Sequence, residues 1–194
     1  MRIFGVILAG GQARRMGGTD KALLPLNGQP LIRHVHDRLS PQVEDLAISA
    51  NGDPARFATL GCPVLPDAAS LGPLSGILTA LHWASAHGAD ALVSAPVDAP
   101  FLPGDLVPHL LLAGDGRLAI ASTAVGDHPV FALWPTALTE DLAAFLASGA
   151  KPKVTSFTDT HTAARARFPD ATAFLNLNTP EDLALAETLL RGAK

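Results

Sequence analysis

Short apolar runs alternate along the chain with longer segments of helical periodicity. The apolar runs predict strands at residues 3–9, 45–50, 64–65, 91–95, 118–122 and 130–134. The periodic segments predict helices at residues 30–39, 54–60, 75–86, 104–112, 137–147 and 180–190. This alternation predicts an α/β fold with a mostly parallel central sheet, in which ligands bind at the carboxyl ends of the strands.

Composition narrows the class of protein and its partners. The chain has 194 residues, 48% of them hydrophobic, which predicts a single globular domain over residues 1–194. A net charge of -4 offers no general attraction to nucleic acid, so we expect no such partner. The single Cys62 excludes an internal disulfide and favours the cytoplasm. Residues 3–9 are too short to span a bilayer, so no membrane partner is expected.

The loop after the first predicted strand carries the strongest chemical signal. Residues 8–21 read LAGGQARRMGGTDK, with four glycines, two arginines and a lysine. Glycines allow backbone N–H groups to form an anion-binding nest, and the cations neutralise phosphate oxygens. The spacing matches neither the P-loop nor the dinucleotide-binding pattern. A flexible glycine turn explains Gly10 and Gly11 taken alone, whereas the whole string predicts a different loop for a triphosphate.

Three further polar residues follow predicted strands. Asn51 ends the second strand, Asp67 follows the short strand at residues 64–65, and Asp98 follows the strand at residues 91–95. A single carboxylate in a proline-stiffened loop suits Mg²⁺, which combines one or two carboxylates with phosphate oxygens and water. The alternatives are an Asx turn or a helix N-cap at Asn51, and turn-forming roles for Asp67 and Asp98.

Polar residues near the end of the chain have two interpretations. Asn176 and Asn178 alternate, so they share one face of an extended segment and present amide groups to a substrate. Thr179, Pro180 and Asp182 follow the pattern of an ordinary helix start, with an N-cap, a proline at the first position and an acid three residues after the cap.

Other kinds of catalytic chemistry have little support in the sequence. Seven histidines are present, but no zinc-binding spacing joins them. No Gly-x-Ser-x-Gly pattern occurs, and Cys62 has no evident base beside it, which disfavours covalent catalysis.

The first loop resembles that of the molybdenum cofactor guanylyltransferases, through residues 8–11, 15–18 and 20–21. Stretches at residues 72–76, 127–133 and 176–183 are also similar to that family, so the resemblance covers both halves of the chain. The family's metal-binding stretch is Cys-Asp-Thr-Pro-like. Here Val97 and Ala99 flank Asp98, which keeps the carboxylate and changes its neighbours.

The resemblance implies a role for each site residue. Arg15, Lys21 and Asp98 are implied as catalytic, and Asp98 as the ligand of Mg²⁺. The residues implied to bind the nucleotide or the pterin substrate are Leu8, Ala9, Gly10, Gly11, Lys21, Asn51, Asp67, Asp98, Asn176 and Asn178.

The family's activity is transfer of GMP from GTP to the phosphate of molybdenum-molybdopterin, on a three-layer α/β/α Rossmann-like nucleotidyltransferase fold. The resemblance implies a GTP-binding N-terminal half, a C-terminal half on the pterin side, and handover to molybdoenzyme maturation proteins. A molybdopterin cytidylyltransferase or a sugar-phosphate nucleotidyltransferase remains an alternative. A non-catalytic nucleotide sensor or cofactor carrier is another, but a pure binder has less need of Lys21 and Asp98.

Overall fold

A seven-stranded sheet with the order β5-β4-β1-β6-β8-β7-β9 forms the centre of the computed structural model. The structure describes residues 1–10, 20–67, 69, 71–149 and 151–192. A separate small hairpin, β2–β3, lies beside the sheet. The strands are β1 (Ile3–Leu8), β2 (Pro25–Leu26), β3 (Gln29–Pro30), β4 (Asp45–Ser49), β5 (Val64–Leu65), β6 (Ala91–Pro96), β7 (Ala119–Thr123), β8 (Gly126–Pro135) and β9 (Ala164–Arg167).

Helices cover both faces of the sheet and bury two separate apolar cores. The helices are α1 (Leu31–Leu39), α2 (Pro73–Ala86), α3 (Leu106–Gly114), α4 (Thr139–Ala147), α5 (Val154–Thr160) and α6 (Pro180–Gly192). Alternate residues of β1 point to opposite faces, so Ile3 and Ile7 pack with α1 and α3, whereas Phe4 and Val6 pack with α2. The predicted α/β/α fold with a central sheet is therefore confirmed. None of the helices in the described ranges has the length and hydropathy that a bilayer crossing requires.

The sheet is mostly parallel around the site, as predicted. β1 pairs in parallel with β4 and β6, and β4 pairs in parallel with β5. β8 runs antiparallel between β6 and β7, because a tight turn joins Thr123 of β7 directly to Gly126 of β8. The sheet thus keeps the carboxyl ends of β1, β4 and β6 along one edge.

The sequence patterns did not predict β9, α5 or the hairpin β2–β3, and one predicted helix is of a different type. β9 is an edge strand in which Ala166 is buried between exposed arginines, so it has no apolar run. The segment α5 is mostly polar, and the hairpin β2–β3 has only two residues in each strand. Pro54–Leu60 is a 3-10 helix rather than an α-helix, and it ends at Gly61 with φ of 69°.

The last helix packs against the segment that follows the first loop. α6 packs through Ala186 against Leu26, Leu31 and Leu177 in a third, smaller apolar core. Leu26 belongs to the small hairpin that follows the first loop. This docking brings the extended segment before α6 next to the residues that follow the glycine loop.

Candidate active site

A cavity of about 1010 Å³ opens at the carboxyl edge of the parallel strands. It receives residues from the ends of β1, β4 and β6 and from the start of α2. Its walls include Leu8, Ala9, Gly10, Asp20, Lys21, Ser49, Asn51, Arg56, Asp67, Gly72, Pro73, Gly76, Pro96, Val97, Asp98, Asp127, His128, Pro129, Val130, Phe131 and Asn176.

Lys21 and Asp98 form an ion pair in this cavity. The Lys21 Nζ atom lies 2.6 Å from Asp98 Oδ2, and their side chains are 14% and 18% exposed. The same ammonium group donates a hydrogen bond of 2.6 Å to Asn178 Oδ1. Two residues far from Lys21 in the sequence therefore converge on its ammonium group.

The position of Lys21 is set by a short helix with its own cap. Asp20 Oδ1 accepts a hydrogen bond of 3.0 Å from the backbone N–H of Ala22, which begins a 3-10 helix over Lys21–Leu23. Ala22 is fully buried. Because the cap and the buried alanine hold this turn against the core, the Lys21 side chain extends from a fixed point.

Asn178 is positioned by the start of α6. Asp182 Oδ2 accepts hydrogen bonds of 2.9 Å from the backbone N–H groups of Asn178 and Thr179, and Asp182 N–H donates to Thr179 Oγ1 at 3.2 Å. The bond from Asn178 is the main favourable contribution that lowers the pKa of Asp182. The predicted helix start at Thr179 and Pro180 is confirmed.

The segment before α6 also contacts Asp98 through its backbone. The Leu177 N–H donates a hydrogen bond of 2.8 Å to the Asp98 carbonyl oxygen. Leu177 is buried between the exposed Asn176 and Asn178. Asn176 lines the cavity, whereas the Asn178 side chain contacts Lys21.

The opposite end of the cavity is built from polar side chains that order the backbone. The Asn51 amide donates to the Asp67 carbonyl at 2.7 Å and accepts from the Asp67 N–H at 2.8 Å. Asp67 Oδ2 accepts from Ser75 Oγ at 2.7 Å. The N-cap of the following 3-10 helix is Asp53, so Asn51 does not have that role. Asn51 instead fixes the backbone that carries the Asp67 carboxylate.

Gly76 allows α2 to approach the strands at this end. A Cβ atom on Gly76 would lie 2.6 Å from Ser49 Oγ and 3.2 Å from Leu8 Cδ2. Any other residue here would require the Ser49 and Leu8 side chains, or the first turn of α2, to shift. The Gly-Pro-Leu-x-Gly stretch of the sequence therefore has a packing role as well as a place in the cavity wall.

Arg56 is a cavity residue that the sequence pattern did not single out. Its guanidinium donates to the Asn51 carbonyl at 2.6 Å and to the Asp53 carbonyl at 2.8 Å. Its Nε atom lies 2.8 Å from Asp20 Oδ2. The signal in the sequence was a lone charged residue in the apolar segment 54–60, directly after the loop of Asn51.

An aromatic group lines the wall contributed by the second half of the chain. The His128 ring stacks on Phe174 at 4.6 Å with an interplanar angle of 14°, and Phe131 meets Phe174 edge-on at 5.0 Å. His128 Nε2 lies 3.0 Å from Thr123 Oγ1. Burial lowers the pKa of His128, so the neutral ring is favoured.

The only cysteine of the chain and the grouping of potential metal ligands were the remaining candidates for other chemistry. Cys62 lies outside the cavity, and burial raises the pKa of its thiol, which favours the less reactive protonated form. Among the described residues, no three His, Cys, Asp or Glu side chains are grouped to hold a metal ion.

The structure brings most of the predicted site residues to one cavity. Leu8, Ala9 and Gly10 line it next to Lys21 and Asp98, and Asn51, Asp67 and Asn176 line it farther along. Asn178 reaches the cluster through Lys21. Gly11 and Arg15 lie outside the described residues. The roles assigned to all of these residues stay predictions.

Comparisons with known proteins agree with this architecture. Residues 5–164 match the MobA-like NTP transferase domain family. A molybdenum cofactor guanylyltransferase from Cereibacter sphaeroides is 64% identical over 191 residues, covering 98% of each chain.

Solved structures also share the fold. The molybdopterin-guanine dinucleotide biosynthesis protein A from Archaeoglobus fulgidus superimposes with a TM-score of 0.75 at 22% identity, covering 97% of this chain and 99% of the other. A CMP:2-keto-3-deoxy-manno-octonic acid synthetase complexed with CTP reaches 0.79 at 15% identity, covering 100% of both chains. The close sequence relationship over nearly the whole length decides the family: the chain belongs to the molybdenum cofactor guanylyltransferases and is a nucleotidyltransferase of molybdenum cofactor biosynthesis.

Proposed function

We propose that the chain transfers the GMP part of GTP to the terminal phosphate of molybdenum-molybdopterin and releases pyrophosphate. The observation that carries the proposal is the convergence of Lys21, Asp98 and Asn178 in a cavity of about 1010 Å³. A volume at the upper end of ligand pockets suits two substrates side by side. The name of the relative from Cereibacter sphaeroides supports guanylyl transfer.

Lys21 is proposed to bind the triphosphate. Its ammonium group has three donors, two of which are directed to Asp98 and Asn178 at 2.6 Å. The glycine loop ends immediately before it at Asp20, and Gly10 and Lys21 both line the cavity. We therefore propose that the phosphates lie between the backbone of Gly10 and this ammonium. The positive charge then stabilises the negative charge that develops on the transferring phosphorus.

Asp98 is proposed to hold Mg²⁺ together with the triphosphate. The donor set fits this ion, because Mg²⁺ takes one or two carboxylates and completes its shell with phosphate oxygens and water. Asp98 Oδ2 already accommodates a cationic group at 2.6 Å, the Lys21 ammonium. When bound, Mg²⁺ neutralises phosphate charge and so lowers the barrier to displacement.

The proposed reaction needs no basic side chain. An oxygen of the acceptor phosphate attacks the α-phosphorus of GTP in line, a new P–O bond forms, and the bond to the β-phosphate bridging oxygen breaks. Pyrophosphate leaves with the electron pair. The acceptor phosphate has a second pKa of about 6, so it is already largely ionised at neutral pH. Arg15, outside the described residues, is proposed to assist Lys21.

The two halves of the chain are proposed to hold different substrates. The Asp67 carboxylate suits the N1 and N2 donors of guanine, which cytosine does not present in that arrangement. Residues 127–131 and Asn176 line the remaining wall, where the pterin would lie. His128, whose ring stacks on Phe174, contributes an aromatic side chain to that wall.

The test is a pyrophosphate-release assay with Mg²⁺, molybdenum-molybdopterin and each of the four nucleoside triphosphates in turn. We expect pyrophosphate to be released only in the reaction that contains GTP, and mass spectrometry to detect a guanine dinucleotide product. Release with CTP alone would contradict the proposal in favour of a cytidylyltransferase. Tight GTP binding without turnover on any acceptor phosphate would support the carrier alternative.

A further inference from the structure

Arg56 joins two parts of the cavity wall that are separate in the sequence. It contacts Asp20, which precedes Lys21, and it donates to the carbonyl of Asn51, whose side chain holds Asp67. Its guanidinium also lies over the Phe57 ring at 4.5 Å. The arginine therefore connects the turn that carries Lys21 to the loop that carries Asp67.

The two oxygens of Asp20 have different surroundings. Oδ1 caps the 3-10 helix by accepting from Ala22 N–H, and Oδ2 faces Arg56 Nε at 2.8 Å. The Nε–H makes no hydrogen bond of acceptable angle among the described residues, although the atom is buried. The contact is therefore mainly an attraction between charges rather than an aligned hydrogen bond.

The negative charge of Asp20 is unfavourable for binding a polyanionic ligand. Asp20 lines the same cavity as Lys21 and Gly10, and its side chain is partly exposed. A negative group beside a triphosphate repels it, and the repulsion is large where water is partly excluded. The Arg56 charge at 2.8 Å offsets that repulsion while Asp20 still caps the turn.

The pair differs from an ordinary surface ion pair. The side chains of Arg56 and Asp20 are 21% and 27% exposed, whereas those of Arg33 and Asp37 on α1 are 43% and 49% exposed. Exposed pairs are weak because water and salt screen them. Arg33 thus supplies a matched control that lies outside the cavity wall.

We infer that Arg56 is a positioning residue for nucleotide binding, which neutralises Asp20 and ties the Lys21 turn to the Asn51 loop. The inference rests on the proposed function, because it requires a triphosphate in the cavity. The competing explanation is direct contact between Arg56 and the nucleotide.

A double-mutant cycle separates these explanations. GTP affinity is measured by calorimetry for the wild type, Arg56→Ala, Asp20→Asn and the double variant. Asparagine is also a good cap, so Asp20→Asn removes the charge and keeps the acceptor. We expect Arg56→Ala to weaken GTP binding by about 10- to 100-fold in the wild-type background and by less than about threefold in the Asp20→Asn background. An equal loss in both backgrounds would overturn the inference in favour of direct contact.

Two further readouts test the role of charge. The loss of GTP affinity in Arg56→Ala should become smaller as the KCl concentration is raised, since salt screens the repulsion between Asp20 and phosphate. Arg56→Lys should recover part of the affinity, because it restores the charge without the planar fork. A loss of GTP affinity that salt does not change and that Arg56→Lys does not recover would indicate a purely structural role and overturn the inference.

Folding and ligand identity are controlled separately. Thermal unfolding without GTP is compared for every variant, with Arg33→Ala expected to match the wild type in both stability and GTP affinity. If Arg56→Ala does not fold, the cycle is run with Arg56→Gln and Arg56→Lys. A wild type that binds none of the nucleoside triphosphates defeats the proposed function itself. Normal GTP binding by a folded, charge-free Arg56 variant defeats only this inference.

Discussion

The two ends of the cavity use polar side chains in different ways. At the Lys21 end, charged groups contact one another directly, as in the 2.6 Å pair between Lys21 Nζ and Asp98 Oδ2. At the Asp67 end, the Asn51 amide is directed to backbone groups of residue 67 at 2.7 and 2.8 Å. The Lys21 end therefore brings opposite charges into contact, whereas at the Asp67 end an uncharged side chain fixes the backbone of residue 67.

This difference predicts a division of the kinetic effects. Charges that act on the reacting phosphorus lower the barrier to transfer, so their loss reduces kcat. Side chains that shape the loop for the base contribute equally to the ground state and the transition state, so their loss mainly raises KM. Arg56 lies between the two ends and is expected to influence binding more than turnover.

The largest effect should come from Lys21→Ala. We expect kcat to fall by about 100- to 1000-fold, because the variant loses the ammonium that we propose stabilises charge on the transferring phosphate. The free energy of unfolding should fall by only about 1–2 kcal/mol, since Asp98 keeps partial access to water. Pyrophosphate release and urea unfolding measure the two quantities. The exposed Lys153→Ala serves as control, and unchanged GMP transfer by Lys21→Ala would refute its role.

Asp98→Asn should have the next largest effect. We expect activity to fall by about 100-fold and the Mg²⁺ concentration for half-maximal rate to rise, because an amide is a weaker ligand than a carboxylate. The backbone bond from Leu177 to residue 98 does not depend on this side chain. The variant does lose the charge that pairs with Lys21, so the free energy of unfolding should fall by about 1–2 kcal/mol, as for Lys21→Ala. A Mg²⁺ titration of the rate is the measurement. Asp105→Asn, at an exposed position, is the matched control, and an unaltered Mg²⁺ dependence in Asp98→Asn would argue against a metal ligand.

Asn51→Ala should sharpen the contrast between the two ends. We expect KM for GTP to rise by about tenfold and kcat to stay within about threefold, because the variant loses two hydrogen bonds of about 1 kcal/mol each that fix the Asp67 loop. Steady-state kinetics with varied GTP separate the two constants. A fall in kcat without a change in KM would mean that Asn51 acts on the reacting groups.

The smallest effect concerns the pH dependence of stability through His128. Burial holds its pKa below the ordinary value of 6.5, and Asp127 partly opposes this. Below that pH the unfolded chain binds the proton more readily than the folded chain does, so stability falls as the pH falls. His128→Asn should remove this loss, a difference of under about 1 kcal/mol because the ring is only half-buried. Urea unfolding at pH 7.5 and pH 5.5 measures it, with His82→Asn, at an exposed position, as the matched histidine substitution.

Much of the cavity wall beside Lys21 could be predicted from the sequence of the first loop and its resemblance to the family. The apolar strand followed by glycines and cations predicts a phosphate-binding loop, and the family resemblance assigns Leu8, Ala9, Gly10 and Lys21 to it. All four residues line the cavity. The start of α6 could also be predicted, because the residues that form a helix N-cap lie within four positions of one another in the sequence. The place of Arg56 in the cavity wall could not be predicted in this way, because its contacts are with Asp20 and Asn51, which lie in other parts of the chain.

The sequence by itself determined the alternation of strands and helices, the composition of the glycine loop and the capping of α6, because these depend on neighbours along the chain. Only the tertiary structure decided that Lys21 meets Asp98, 77 residues away, and Asn178, 157 residues away. Those contacts require β1 and β6 to pair in parallel and α6 to dock on Leu26 and Leu31. Local propensity carries no information about such pairings, because burial of apolar surface selects them from the whole chain.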